Sequence, residues 1–365
     1  MSTMAEMATT ITRSLHHHDY TVAWVCALPL EMAAASAMLD EIHPSLPTSP
    51  NDQNTYILGR IHAHNLVIAW LPSGVYGTTS VATVASQMLF TFQSIRFGLM
   101  VGIGGGAPTK EFDIRLGDVV VSKPTGGFGG VVQYDFGKAV GQGVFERTGS
   151  LNKPPQILLT AIAKLQADQI VMGKSRVSEY LSDMIAMHPV MQAEFTYRGR
   201  EQDRLFDATY DHYGLENTCD TCEANGLVIR PTRDRHDPVI HYGLIASGNQ
   251  VIKHGGTRDK LGQELGILCF ETEAAGLMDN FPCLVIRGIC DYADSHKNKQ
   301  WQGYAAATAA AYAKELLSVI HSTQAEETPT AIPVTENISF STGWFISFLF
   351  LEIFLSCHIN ISILS

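Results

Sequence analysis

Apolar and polar residues alternate along the chain in blocks that predict strands and helices in turn. YTVAWVCA (20–27) is apolar and β-branched, as a buried strand should be. LPLEMAAASAML (28–39) follows with helical spacing, and Pro29 falls near the helix start, where a missing N–H does no harm. Two further strands are expected near 55–60 and 65–70. SGVYGTTSVATVASQML (73–89) reads as a Gly/Ser turn opening a helix. FGLMVGIGGG (97–106) reads as a strand running into a glycine-rich loop. GDVVVS (117–122) is another strand, and PQILLTAIAKLQ (155–166) an amphipathic helix. After a polar, irregular middle the pattern resumes with VIHYGLIASG (239–248). A helix is expected through ETEAAGLMDN (271–280), then the strand PCLVIRGIC (282–290) and the helix WQGYAAATAAAYAKELLSVI (301–320). Strands alternating with helices imply one α/β domain over 19–321, with helices on both faces of a sheet.

Outside that domain, and in one stretch within it, the pattern breaks down. Residues 1–18 have no apolar signal-peptide core and read as a disordered tail of a cytoplasmic protein. Residues 173–236 read as an insertion or cap. Residues 322–337, STQAEETPTAIPVTEN, have linker composition. The segment 338–365 ends in WFISFLFLEIFLSCHINISILS (344–365), which is long enough to span a bilayer. Glu352 near its middle would cost about 2–3 kcal/mol there, so membrane attachment is open, and only through this tail.

Hydrophobic residues at 45% and charged residues at 17% fit a chain with a sizeable core. A net charge of −11 argues against a nucleic-acid partner, which needs clustered Lys and Arg. Seven cysteines in 365 residues are no disulfide framework. Cys219 and Cys222 form one CxxC, half a zinc site, with His212 and His236 the nearest further donors. Loop thiols are the simpler reading, and neither a metal nor a cofactor is expected.

Three acids fall at the ends of apolar segments: Glu31 in CALPLEM, Glu273 in CFETEAAG and Asp291 in RGICDYAD. Each alone reads as a cap or a solvated residue. The glycine run 102–106 is followed by a loop and a strand rather than by a helix, so it is not a dinucleotide fingerprint. Its glycines allow close backbone approach and offer exposed N–H groups suited to a ribose, a phosphate or a carboxylate.

The motifs CALPLEM, PSGVYG, VGIGGGAP, RLGDVVVS, GLIASGNQVI, FETEAAGL and RGICDYAD, in this order, resemble the nucleoside phosphorylase superfamily. That group includes purine nucleoside and uridine phosphorylases and methylthioadenosine/S-adenosylhomocysteine nucleosidases. The form with an insertion before IHYGLIASGNQ resembles the N-terminal domain of NLR-like proteins of filamentous fungi. The resemblance implies a three-layer α/β/α domain with a mixed, partly barrel-like sheet, and a homo-oligomer. It implies a purine nucleoside or nucleotide as substrate, with water or phosphate as the second one.

The resemblance also assigns roles. Asp291 stands at the position of the acid that protonates purine N7, and Glu273 at that of the ribose-binding glutamate, with Gly104 beside the sugar. Thr272 stands where the family usually has a methionine under the ribose. Val251 and Ile252 fall in the base pocket, and Asn249 replaces an acid of the turn before them. Glu31 and Met100 occupy positions where phosphorylases carry phosphate-binding arginines, and Ile103 that of a serine. Glu31 matches the glutamate with which nucleosidases activate water, so hydrolysis is favoured over phosphorolysis. Arg198, Arg200 and Arg204 of the middle segment are the residues that would restore an anion site. Gln133 and Tyr134 are further candidates for a substrate loop or subunit contact. A nucleoside-sensing effector module without turnover is the alternative from another class.

Overall fold

The computed structural model describes residues 14–331 apart from 142–143, 213–217 and 220. The apolar tail 344–365 lies outside the described residues. Among those described, no helix is long and apolar enough to cross a membrane.

The first strand, β1 (Val22–Cys26), is buried along its whole length, as its unbroken apolar run requires. It lies between two parallel neighbours, β4 (His64–Trp70) and β5 (Phe97–Gly106). Beyond β4 the sheet continues antiparallel through β3 (Ile57–Ile61) to β2 (Glu41–His43). On the other side β5 pairs with β12 (Cys283–Asp291), nine residues buried throughout. The order then runs to β6 (Val119–Ser122), β10 (Ile240–Ser247) and β11 (Ile267–Glu271). The end of β5 turns back to pair antiparallel with β11, through Gly105–Phe270 and Gly106–Cys269. Strands β5, β12, β6, β10 and β11 thus close a ring, which makes the mixed sheet partly a barrel. The glycines expected to form a loop are the last residues of β5. Lacking side chains, they let the strand bend across the ring mouth.

Helices cover both faces. On one, α7 (Gln302–Ser318) packs with α1 (Pro29–Ala37) over β5 and β12. Its alanine run favours helix and keeps its surface low, so it is buried for almost its full length. On the other, α2 (Thr78–Thr91) packs on a second apolar cluster with β1 and β4. Where a helix was expected through 271–280, the chain makes only a single 3-10 turn at Ala274–Gly276. The helix of this region precedes β11 instead, at Gly255–Leu265. Two acids and a glycine in ETEAAG favour a cap-and-turn geometry over propagation.

Residues 322–331, expected to open a linker, pack on the domain. Ser322–Glu327 is helical with Ala325 buried. The Arg96 Nη1 donates to Thr328 O at 2.8 Å, and Ala331 N to Ile95 O at 2.8 Å.

The middle segment is anchored by charge as well as by apolar contact. Asp118, 2% exposed, accepts from Arg233 at 2.7 and 2.8 Å and from Val239 N at 3.0 Å, with His241 Nε2 at 2.9 Å. Arg230 pairs with Asp203 at 3.0 Å, and the Tyr292 hydroxyl donates to the same carboxylate. The network joins the segment to β6 and to the chain just after β12.

Candidate active site

Strands β1, β5 and β12 run parallel and end at one edge, and β11 reaches the same place across the ring mouth. A cavity of about 490 Å³ opens there. It is lined by Glu31, Glu271 and Glu273, by Ile103 and Gly104, and by the 249–252 turn. This is large enough for a nucleoside-sized ligand.

Glu31 enters from the third position of α1. Its Oε2 accepts from Ala27 N at 2.7 Å and Leu28 N at 2.9 Å, reaching back over the helix start. Its Oε1 accepts from Ile103 N at 2.7 Å, so one N–H of the glycine-rich stretch is spent on this acid. Burial raises the Glu31 carboxyl above the ordinary range, although Arg287 and the three N–H donors pull the other way. Gly102 must be glycine here: a Cβ would overlap both Glu31 Oε1 and Arg287 Nη1.

Glu273 follows the end of β11, 5% exposed. The hydroxyl of Thr272 donates to its Oε1, and Thr272 N to its Oε2 at 3.3 Å. Thr272 therefore orients the acid rather than supplying an apolar floor. Burial, and then the charge of Glu271, push the Glu273 carboxyl up to about 7. Glu271 is fixed by Glu273 N at 3.1 Å and Ala274 N at 3.0 Å.

Arg287 lies beneath all three acids, fully buried in β12. It donates to Glu271 and stands 3.7 Å from Glu273, while its Nε has no partner. Sequence reasoning passed over both Arg287 and Glu271. The signal was available, since an arginine inside an apolar strand is buried only when paired.

Asp291 ends β12, 4% exposed. It accepts from Ala293 N at 2.9 Å through Oδ1, and its Oδ2 pairs with Lys297 Nζ at 2.9 Å. It does not itself line the large cavity. Its neighbours Cys290, Ala293 and Lys297 do, and Asp291 stands just behind them, facing a smaller pocket. Gly105 makes room for it, because a Cβ there would sit 2.7 Å from Asp291 Oδ1. Lys297, in a polar loop, carried no sequence signal.

The remaining candidates form the rim. Val251 and Ile252 line the cavity, with Val251 56% exposed. Asn249 ties two loops together: its Oδ1 accepts from Thr78 N at 3.2 Å and Thr78 Oγ1 at 3.1 Å, and its N–H donates to Asp135 Oδ2 at 2.7 Å. The Tyr134 hydroxyl donates to Gln250 O, which places Tyr134 under that turn.

The arginines of the middle segment are elsewhere. Arg198 donates to Gln300, Ala193 and Glu194 carbonyls, Arg200 to that of Arg233, and Arg204 to those of Cys219 and Cys222. None of them lines the cavity. Among the described residues lining it, Lys297 is the only lysine or arginine.

A model of the phosphorylase superfamily matches residues 21–323. An NLR-like (nucleotide-binding leucine-rich repeat) protein of Hyaloscypha variabilis is 49% identical over 308 residues; these are 84% of this chain but only 30% of that protein. The chain thus spans less than a third of that relative. A 5'-methylthioadenosine/S-adenosylhomocysteine nucleosidase of Mycobacterium bovis is 25% identical over 309 residues, 82% of this chain and 96% of its own. Among solved structures, the futalosine hydrolase of Helicobacter pylori superposes with a TM-score of 0.52 at 16% identity, covering 83% of this chain and 99% of its own. At that identity the likeness speaks for the fold.

Proposed function

The chain belongs to the phosphorylase superfamily, and from that premise we propose an enzyme that cleaves N-glycosidic bonds, a purine nucleosidase that uses water rather than phosphate. The observation that carries this is the charge of the cavity. Three buried carboxylates, Glu31, Glu271 and Glu273, face it, and Arg287 beneath them is already engaged by Glu271. A phosphate bound against the sugar there would meet carboxyl groups and no uncommitted arginine, whereas a water can hand its proton to the one that is ionised.

In this reading Glu31 accepts a proton from water attacking the anomeric carbon. Glu273 accepts from the ribose hydroxyls and, with its neighbours, favours the positive charge that develops on the sugar. Asp291, behind the cavity wall of Cys290, Ala293 and Lys297, gives a proton by way of a bridging water to N7 of the departing base, which Val251 and Ile252 hold, with Gly104 beside the ribose. Lys297 is positioned to return charge balance to Asp291 once the proton has left. The enzyme acts in the cytoplasm, and a nucleotide is admitted if its 5'-phosphate reaches solvent or Lys297.

Product analysis tests this. The full chain is incubated with adenosine, inosine, guanosine, methylthioadenosine and AMP, with and without phosphate. Free base and the matching free sugar (ribose, methylthioribose from methylthioadenosine, ribose 5-phosphate from AMP) in equal amounts, at a rate independent of phosphate, are the expected result. Base with the 1-phosphate of the matching sugar, formed only when phosphate is added, would overturn hydrolysis. Saturable nucleoside binding without any free base would favour the second reading, a nucleoside-sensing module, which the 49% identity to an NLR-like protein supports.

A further inference from the structure

The CxxC pair looked like half a metal site in the sequence, and the fold supplies donors from elsewhere. His212, Cys219 and Cys222 bring one ligand atom each to within 4.8 Å of one another. The His212 Nδ1 is 3.1 Å from Cys222 Sγ. The other histidine considered, His236, lies against Tyr197 instead, with ring centroids 5.4 Å apart. A different one comes in from the active-site loop. His296 is 7% exposed, its ring is 5.6 Å from that of His212, and its carbonyl is 3.5 Å from Cys219 Sγ. Both of its ring nitrogens are buried without a hydrogen-bond partner. A buried imidazole with two idle nitrogens beside two thiols calls for a ligand.

We propose that His212, Cys219 and Cys222 form a structural site for Zn²⁺, that His296, whose ring nitrogens lie outside this 4.8 Å group, turns in as the fourth donor, and that the ion fastens these residues to the loop carrying Asp291 and Lys297. Bonds of about 2.3 Å to sulfur and about 2.0 Å to nitrogen put tetrahedral ligand atoms about 3.5 Å apart, within the spread already present among the three. The surroundings match an outer shell. The carboxylate of Asp294 stands 3.8 Å from His296 Nδ1, placed to orient the ring and leave Nε2 for the metal. Asp294 is itself held by Arg258 at 3.3 Å. The guanidinium of Arg204 gathers the carbonyls of both cysteines, and Cys222 N donates to Cys219 O at 3.1 Å, closing the turn between them. His212 N donates to Ser295 Oγ at 2.9 Å, so the two loops already touch where the ion would join them. Binding replaces two thiol protons by one metal ion, with no change of oxidation state.

The test is metal content of the full chain purified without chelator. About one zinc per chain is expected, falling below a tenth in the C219S/C222S variant. After anaerobic exchange, Co²⁺ should give the intense visible bands of a tetrahedral centre and a sulfur-to-metal charge-transfer band. H296A should weaken the affinity for Co²⁺ at least ~10-fold. No zinc in the unmutated chain, with no thiolate–cobalt spectrum on reconstitution, overturns the proposal. So does zinc retained unchanged in the double cysteine variant, and unchanged cobalt affinity in H296A removes the fourth ligand. The cobalt spectrum is read on the unmutated chain, so a variant that fails to fold leaves the test standing.

Discussion

Replacing Glu31 by glutamine separates two jobs that one carboxylate performs. As a cap it satisfies three backbone donors, Ala27 N, Leu28 N and Ile103 N. The amide has one acceptor oxygen, which can serve either the first two donors or the third. Its NH₂ then faces at least one buried N–H, a loss of about 1–3 kcal/mol. Arg287 also loses a nearby countercharge. Against this, the variant no longer holds a carboxylate that burial already disfavours as an anion. The net expectation is a protein less stable by about 1–3 kcal/mol but folded at 25 °C.

The proposed catalytic job makes a separate demand. Losing the base that takes the water's proton should lower kcat by about 10²–10⁴-fold at unchanged folding. The assay is free-base release per mole of binding-competent protein, titrated with a nucleoside at the same temperature. Nucleoside affinity should stay within about threefold, because Glu31 faces the water rather than the base or ribose hydroxyls. A folded E31Q protein that turns over within threefold of the unmutated chain would refute the role. Glu31 would then be a helix cap alone, and water would be activated elsewhere.

The other expectations concern neighbouring groups. D291N should lower kcat by at least ~100-fold without loss of nucleoside binding, and near-normal turnover would remove Asp291 from proton transfer. Because the Glu273 carboxyl is raised to about 7, the folded chain holds a proton there that the unfolded chain has released. Its stabilising contribution is complete below about pH 4.5 and is lost as pH rises through about 7, on the order of 3 kcal/mol. Urea unfolding at pH 5 and pH 8 should show this loss in the unmutated chain relative to E273Q, and equal slopes would contradict it. N249A, which unties Thr78 from the 248–252 turn, should raise KM about fivefold with little change in kcat, corresponding to about 1 kcal/mol. D118N leaves Arg233 and His241 facing a neutral amide and should cost about 3–5 kcal/mol in denaturant unfolding.

How much was legible in the sequence depended on whether a residue's surroundings were local. The apolar runs of β1 and β12 declared themselves, because a strand buried on both faces must be apolar wherever its side chains are not paired, as Arg287 is. The glycines of 102–106 were misread as a loop for the same reason that they are informative. They look like a turn locally, and only the return pairing with β11 and the approach of Glu31 and Arg287 show why a strand must lack side chains there. The 271–280 helix failed because three carboxylate-bonded N–H groups, which no propensity reports, hold the chain in a turn. Lys297 sits in an ordinary polar loop until β12 and α7 bring it onto Asp291. The cysteine pair needed His296 from 74 positions beyond Cys222 before it looked like more than loop thiols.

The electrostatics of the cavity bear on whether this is a working enzyme or a binding module. Placing Glu31, Glu271 and Glu273 around one buried guanidinium is expensive, and the raised carboxyls of Glu31 and Glu273 are the measure of that strain. A module that only recognised a neutral nucleoside could hold its hydroxyls with serine, threonine or asparagine at far lower cost. Carboxyls raised in this way are favoured as anions only when positive charge arrives, and a neutral ground-state nucleoside brings none. The sugar on the way to glycosidic cleavage does bring it, at the carbon that Glu31 and Glu273 flank in this reading. On the proposed function the site is thus better matched to the transition state than to the substrate, as a catalyst requires and a sensor does not.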